Sequence, residues 1–266
     1  MDLGLADRAC AVTGASRGIG RATARRLCAE GASVLLVARG AEDLDEALAE
    51  CRAEEGRAEA LALDVTDPDA GERMVGTCTE AFGGLDVLVN NAGTARWRDL
   101  DDVPETDWYD AWELNVMAPL RAMRAAAPAM VDRGWGRIVN VSSTAGKRPS
   151  AQMPEYSVAK AAQLSLSRLF ADRYASEGVL VNAICPGPVK SELWMDEGGL
   201  LDQSKEHGGH AGRDAALEAA GSKRPIGRLA ESDEIAAAIV FLASERASYV
   251  AGAAWSVDGG TVQVII

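Results

Sequence analysis

The chain of 266 residues predicts an α/β fold: a doubly wound, mainly parallel sheet of about seven strands with helices on both faces. Three observations predict it. Short apolar runs, such as Ser-Val-Leu-Leu-Val-Ala at 33–38, alternate with helix-forming stretches. The runs are apolar throughout rather than at every second residue, as burial on both faces requires. The first run leads into a Gly-rich turn, then a helix, then a second run, which is one βαβ unit.

The elements follow in order. Residues 8–13 read as a buried strand, with a helix after the turn as far as about residue 30, where Gly31 suits a helix stop. The second strand spans 33–38, an amphipathic helix 42–54, and a third strand 58–63, ending at Asp64 and Val65. Asp67 and Pro68 open a helix that runs to 82. A fourth strand at 85–89 ends in Asn90-Asn91-Ala92-Gly93. The helical stretch 106–133 is expected to be interrupted near Pro119 and Pro128. A fifth strand spans 136–141, a long helix 155–176 and a sixth strand 180–185. The rhythm then breaks. Residues 186–227 are punctuated by Gly198, Gly199, Gly208, Gly209, Gly212 and Gly221, the pattern of a functional lid or a disordered segment. A helix at 231–244, a strand at 253–257 and an apolar tail at 261–266 close the chain. Without a linker, repeat or low-complexity run, the expectation is one domain over 1–266, with a substrate lid at 187–227 within it.

Composition excludes several classes. A net charge of −13 argues against nucleic-acid binding. No apolar run is long enough to span a membrane. The start, Met-Asp-Leu-Gly-Leu-Ala-Asp, lacks a basic region followed by an apolar core. The cysteines, Cys10, Cys28, Cys51, Cys78 and Cys185, are odd in number and irregularly spaced, which suits a reducing cytoplasm without disulfides or zinc. His207 and His210 could form a metal-binding pair, but no further ligands accompany them and no metal is expected.

The residues that carry chemistry are few. Tyr156 and Lys160 lie four apart on a helix and so share a face. A free phenol titrates near pH ~10 and is a poor acid or base at neutrality; a neighbouring cation is expected to lower that value. The pair reads as a tuned acid/base. In the first turn, Gly14, Gly18 and Gly20 let backbone approach a pyrophosphate at a helix N-terminus. After the second strand, where an acidic side chain would accept from a ribose 2′-hydroxyl, the chain has Ala38 and Arg39. Arg39, with Arg17, suits a 2′-phosphate, so NADP(H) is the expected cofactor.

Taken together, Thr13-Gly14-x-x-x-Gly18-Ile19-Gly20, Asp64-Val65, Asn90-Asn91-Ala92-Gly93, Leu114-Asn115-Val116, Ser143, Tyr156-x-x-x-Lys160 and Pro186-Gly187 resemble the short-chain dehydrogenase/reductase family in order and spacing, from about residue 6 to 260. The resemblance implies a Rossmann-type fold and a catalytic set of Asn115, Ser143, Tyr156 and Lys160. Tyr156 would protonate the carbonyl oxygen, Lys160 would lower the Tyr156 pKa and hold the nicotinamide ribose, Ser143 would bond the substrate oxygen, and Asn115 would hold a relay water. Gly14, Ser16, Arg17, Gly18, Ile19 and Gly20 would line the phosphates. Asp64 and Val65 would flank the adenine, and Asn91, Ala92 and Gly93 the adenosine and ribose side. Pro186, Gly187 and Val189 would fix the nicotinamide, with Ser191 where the family often has Thr.

The same resemblance places Trp97, Met153 and Trp194 with Ser143 and Tyr156 around the substrate, and Leu193, Met195, Leu200 and Leu201 in the lid. It implies a small-molecule carbonyl substrate that is partly apolar. A 3-oxoacyl-carrier-protein reductase is an alternative: Arg133 could meet an acidic carrier, whereas Glu177 would repel it. A non-catalytic NADP(H)-binding regulator is a further alternative. The family is usually tetrameric, and the apolar end 262–266 is expected to be buried on a neighbouring subunit.

Overall fold

The computed structural model describes residues 2–263, apart from the side chain of residue 207. Its strands are β1 (Ala9–Thr13), β2 (Ser33–Ala38), β3 (Arg57–Ala62), β4 (Val87–Asn90), β5 (Gly136–Val141), β6 (Val179–Pro186), β7 (Val189–Lys190), β8 (Ala230–Glu231) and β9 (Ala254–Val257). Seven of them form one sheet, in the order β3-β2-β1-β4-β5-β6-β9, with every pairing parallel.

Parallel pairing needs crossovers, and the helices provide them: α1 (Gly18–Ala29), α2 (Ala41–Arg52), α3 (Ala70–Phe82), α4 (Glu105–Trp112), α5 (Ala118–Asp132), α6 (Thr144–Lys147), α7 (Pro154–Tyr174), α8 (Glu192–Met195), α9 (Leu200–Gly208), α10 (Arg213–Ser222) and α11 (Ser232–Ala243). The side-chain period of two sorts each apolar strand between two cores. Cys10, Val12, Val34, Leu36, Val87 and Val89 face Leu27, Leu44, Ile235 and Ile239 of α1, α2 and α11. Ala11, Leu35, Val37, Leu88 and Ile138 face Met74, Met123, Met130 and Phe170 of α3, α5 and α7. Each large side chain so buried contributes about 1.5–3 kcal/mol. The central runs are apolar at every position because both faces are covered.

The strand order reverses between β1 and β4. The connection after β1 packs on one face and that after β4 on the other, so a crevice opens at the carboxyl ends of these two strands.

One feature departs from the sequence expectation, and a second decides between two alternatives that the sequence left open. The stretch around Pro119 and Pro128 is one nearly continuous rod: α4, a π-helical turn at Glu113–Met117, then α5. Pro119 cannot donate to the carbonyl of residue 115, and the widened turn just before it absorbs the mismatch. Pro128 lies inside α5 without ending it. It is exposed, as is Arg124 one turn earlier, so the carbonyl it leaves free faces water. The segment 187–227 is built rather than disordered. It holds α8, α9 and α10, and the pairing of β7 with β8 anchors its base (Val189 with Ala230, Lys190 with Glu231). The tail residues 264–266, expected at a subunit interface, lie outside the described residues.

A buried polar chain fixes α7 on the sheet. Asn90 Nδ2 donates to Asn140 Oδ1 at 2.8 Å, Asn140 Nδ2 donates to Ser167 Oγ at 2.8 Å, and Ser167 Oγ donates to the Gln163 carbonyl at 2.8 Å. Asn140→Ala would strand the Asn90 amide and remove the donor to Ser167 in a dry interior. The expected loss is about 3 kcal/mol of unfolding free energy. Equilibrium urea denaturation measures it, and a midpoint equal to that of the parent would contradict this role.

Candidate active site

The crevice is a continuous cleft of about 1590 Å³. This exceeds the roughly 300–1,000 Å³ of an ordinary small-molecule pocket, leaving space for a dinucleotide and a second ligand. Its floor is the stitched end of β1 and β4. Thr13 Oγ1 accepts from the backbone N–H of Asn91 (2.9 Å) and of Ala92 (3.0 Å). Asn91 Nδ2 donates back to the carbonyls of Thr13 (2.9 Å) and Gly14 (3.2 Å). Gly14, at φ +65°, permits this approach: a Cβ there would meet Asn91 Nδ2 at 2.9 Å.

Helix α1 begins here, and no side chain caps it. Its first N–H groups therefore face the cleft as an anion site. Gly14, Ser16, Arg17, Gly18 and Ile19 line it. Gly20, expected beside the phosphates, does not. A Cβ on Gly20 would fall 2.1 Å from the Gly14 carbonyl oxygen, so this glycine serves the packing of helix against turn.

At one end of the cleft lie Arg39, Asp64 and Val65. The Arg39 side chain is 80% exposed, with its nearest carboxylate, Asp64, 4.0 Å away. Asp64 is itself engaged: Thr66 donates to it from N (2.9 Å) and Oγ1 (2.7 Å), and these bonds hold its carboxyl below the usual range. Arg17 is more than half exposed and meets Asp196 at 3.7 Å. Both cations remain available to an anionic ligand. The absence of a carboxylate at 38 and 39, the exposed Arg39 and the glycine-lined, uncapped helix end fit NADP(H).

At the other end the catalytic candidates converge. Asn115, Ser143, Tyr156 and Lys160 all line the cleft. Lys160 Nζ donates to the Val141 carbonyl (2.8 Å) and to Gln163 Oε1 (3.3 Å), and lies 5.5 Å from the centre of the Tyr156 ring. Asn115 sits in the π-helical turn. Its Nδ2 donates to the Ala111 carbonyl at 2.9 Å, while its buried Oδ1 has no partner among the described residues. A Cβ on Gly93 would come within 3.4 Å of Asn115 Oδ1 and 3.6 Å of Lys160 Nζ, so both polar atoms reach toward that glycine. Ser142 turns inward and donates to the Lys160 carbonyl at 3.0 Å; Ser143 Oγ accepts from Ala145 N at 3.1 Å.

Electrostatics here differ from the sequence expectation. Burial pushes the Tyr156 phenol up to about 12, and the Ser143 hydroxyl, hydrogen-bonded to it, offsets only part of this. The adjacent amine does not reverse the shift, because burial also pulls Lys160 down, to about 7. With these values the phenol holds its proton at neutrality, and the amine sits where it can gain or lose one.

Asn91, Ala92 and Gly93 line the middle of the cleft, and Pro186, Gly187, Val189 and Ser191 its far wall. Trp97, Met153 and Trp194 line it too, with Leu193 and Leu200; Leu201 is instead buried in the lid. The Trp97 N–H donates to Gln203 Oε1 at 2.7 Å, tying that loop to α9. Sequence reasoning missed Arg96, Arg148, Glu155, Arg224 and Val262, which also line the cleft, and considered His210 only as a metal ligand. No periodicity marked them: they come from loops and helix ends far apart in the chain. Among the described residues, no group of three His, Cys, Asp or Glu side chains could hold a metal, and no helix is long and apolar enough to cross a membrane.

The family described as short chain dehydrogenase matches residues 8–199. The chain is 38% identical over 249 residues to the short-chain reductase protein NovJ of Streptomyces niveus, covering 94% of this chain and 92% of that protein. It is 35% identical over 265 residues to the 3-oxoacyl-[acyl-carrier-protein] reductase FabG of Vibrio cholerae, covering 98% and 100%. Among solved structures, L-sorbose reductase from Gluconobacter frateurii, complexed with NADPH and L-sorbose, superposes with a TM-score of 0.92 at 35% identity and full coverage of both chains.

The Lys160 environment has a consequence for stability. Its folded pKa, about 7, lies below that of the unfolded chain, so between those values the unfolded state binds more protons. The lysine's contribution is therefore complete above pH ~10.4 and is lost as pH falls to 7. Wild type should gain stability relative to Lys160→Met from pH 7 to 9.5, by denaturation in the absence of cofactor. A difference that stays constant across that range would show that the amine is not desolvated.

Proposed function

The chain belongs to the short chain dehydrogenase family and is an NAD(P)-dependent oxidoreductase, and we propose that it reduces a ketone to the secondary alcohol with NADPH, reversibly. NADPH, when bound, supplies the hydride that the carbonyl carbon receives. The observation that carries this reading is the meeting of Tyr156, Ser143, Lys160 and Asn115 in one cleft, with the phenol held protonated.

Tyr156 Oη gives its proton to the carbonyl oxygen as negative charge develops there. Ser143 Oγ donates to the same oxygen, a positioned dipole in a site screened from water. Lys160, with its pKa near 7, can return a proton to the phenolate. The unpaired Asn115 Oδ1 reaches toward the same glycine as Lys160 Nζ, where an ordered water could link the amine to solvent. Arg39 and Arg17 pair with the cofactor's phosphates.

A 3-oxoacyl thioester as substrate is a second reading, favoured by the FabG relative. It is weakened by the cations a carrier would need. Arg133 donates to the Leu85 carbonyl and meets Asp86 at 3.4 Å, so it is tied to the body. Glu177 stands at the other position, paired with Arg173. A tetramer is part of the proposal. Tyr109 and Trp112 on α4 and Val158 and Leu169 on α7 are exposed apolar residues, as are Trp255 on β9 and Tyr249 before it. These surfaces suit two separate interfaces.

A panel of aliphatic, aromatic, cyclic and acyl-thioester ketones, followed by NADPH absorbance, tests the activity. Tyr156→Phe should lower kcat by at least about 10²-fold while leaving NADPH affinity nearly intact. Residual turnover near wild type with weakened NADPH binding would sink the assignment. Arg39→Asp should move the ratio of kcat/KM for NADPH over NADH toward NADH by about tenfold or more. An unchanged ratio would refute the role given to Arg39.

A further inference from the structure

The cleft carries more positive charge than the chemistry above uses. The chain has a net charge of −13, so carboxylates are plentiful, and several cleft cations have one within reach. Arg17 meets Asp196 (3.7 Å), Arg39 meets Asp64 (4.0 Å) and Arg96 meets Asp107 (3.5 Å). Arg148, Lys223 and Arg224 line the same cleft and have no ion pair among the described residues. Arg224 is the most constrained of the three. It is half-buried after α10, and burial pulls its guanidinium below the usual arginine range. Its Nη1 donates to the carbonyl of Ala220, which is itself on the cleft wall, and its Nε is closed off without a partner. Nη2 has no partner among the described residues and is not one of the closed-off atoms, so it is the open end of the group. A cation that has lost part of its hydration and gained no counter-charge is costly until a ligand completes it.

Position separates these cations from the cofactor phosphates, which the start of α1 and Arg39 serve. Ile226 N, two residues after Arg224, donates to the Gly259 carbonyl at 3.2 Å, and Gly187 N donates to the Val257 carbonyl at 3.3 Å. The Arg224 turn is thus joined, through 257–259, to the wall at Pro186 and Gly187. Lys147, the residue before Arg148, reaches the same strand end: its Nζ donates to Ser256 Oγ at 2.9 Å. The unpaired cations therefore belong to the catalytic end of the cleft. The carboxylates there do not cancel them. Asp258 accepts from Gly260 N (3.0 Å) and Val262 N (2.9 Å). Asp107 is held by Arg96 and Arg98, Glu113 by Arg121, and Glu155 Oε2 is closed off from the cleft. Glu192 Oε2 lies at the phosphate end, 3.2 Å from where a Cβ on Gly18 would stand. Asp110, exposed on α4, is left against three cations.

We infer that the ketone reduced here carries an anionic group, a carboxylate or a phosphate, bound by Arg224 together with Arg148 and Lys223. This names the substrate class for the reductase reading and rests on it. A guanidinium meets carboxylate or phosphate oxygens in charge-assisted bonds, about twice as strong as neutral ones. The acidic chain as a whole repels an anion, so its capture needs cations gathered at one place. A neutral analogue of the same shape leaves Arg224 without a counter-charge and is rejected for that reason.

The test compares charged ketones with neutral partners of similar shape, using NADPH and the full-length protein. One arm sets 4-oxopentanoate and 4-oxocyclohexanecarboxylate against their carboxamides; the other sets dihydroxyacetone phosphate against dihydroxyacetone. In at least one arm, wild type should favour the anion by about ten- to a hundredfold in kcat/KM, and the arm that does so identifies the carboxylate or the phosphate. Arg224→Gln should bring that ratio toward one, Arg224→Lys, which keeps the charge, should retain most of it, and Arg148→Gln should lower it. NADPH affinity, read by cofactor fluorescence, should be unchanged in all three variants. A wild-type ratio near or below one in both arms would overturn the inference, whether or not the variants fold. Equal losses on charged and neutral ketones would make Arg224 a structural residue and do the same. Weakened NADPH binding with an unchanged ratio would assign these cations to the cofactor, against the inference. Tight NADPH binding with no ketone reduced would instead bring down the reductase reading, and this inference with it.

Discussion

The hydrogen bond from Lys160 Nζ to the Val141 carbonyl joins helix α7 to the end of β5, and Ser142 Oγ closes a second link to the Lys160 carbonyl. Between them they set where Ser143, the next residue, stands relative to Tyr156. The short helix α6 must press against the same turn. A Cβ on Gly146 would lie 2.9 Å from the Lys160 carbonyl group, so only glycine lets the two helices meet at that distance. The arrangement of Ser143, Tyr156 and Lys160 thus follows from one buried amine whose position backbone groups determine.

That amine is expensive to bury, and the site is organised around the cost. Desolvation brings Lys160 down to about 7 and takes Tyr156 up to about 12, so the two groups are poised by the same dry environment rather than by mutual attraction. A protonated phenol suits delivery of a proton to a carbonyl, while the reverse reaction needs the phenol to ionise. The π-helical turn contributes in the same way. Pro119 releases the Asn115 carbonyl from the helical ladder, and the side chain of Asn115 keeps an Oδ1 that is unpaired among the described residues and reaches toward Gly93, as Lys160 Nζ does. Irregular backbone and unpaired polar atoms cluster where ligands would complete them.

The cleft is graded along its length. At one end, exposed Arg39 and Arg17 and the uncapped start of α1 offer positive charge to phosphates. Toward the lid, aromatic and aliphatic side chains mix with Glu155, His210 and Arg224. The first end is generic to dinucleotide recognition; the second combines residues from 94–97, 148–156 and 191–224 with Thr261 and Val262, and this is where a particular substrate would be distinguished.

The sequence by itself determined the layered sheet, because apolar runs, helix-forming intervals and the Gly-rich turn are local and periodic. It also marked Gly14, Gly18 and Arg39, which line the cleft, and the Tyr156–Lys160 pair, since a helix face is set by spacing alone. It misread Pro128, whose tolerance depends on the solvent beside Arg124, and it could not show how closely Gly20 packs on Gly14. The direction of the Tyr156 shift was also beyond it, because charge proximity can be read from spacing but burial cannot. The three helices of 187–227, the β7–β8 anchor and the cleft wall that carries Trp97, Met153 and Trp194 belong to the tertiary structure. They bring together residues with no shared period, such as Arg96, Arg148 and Arg224.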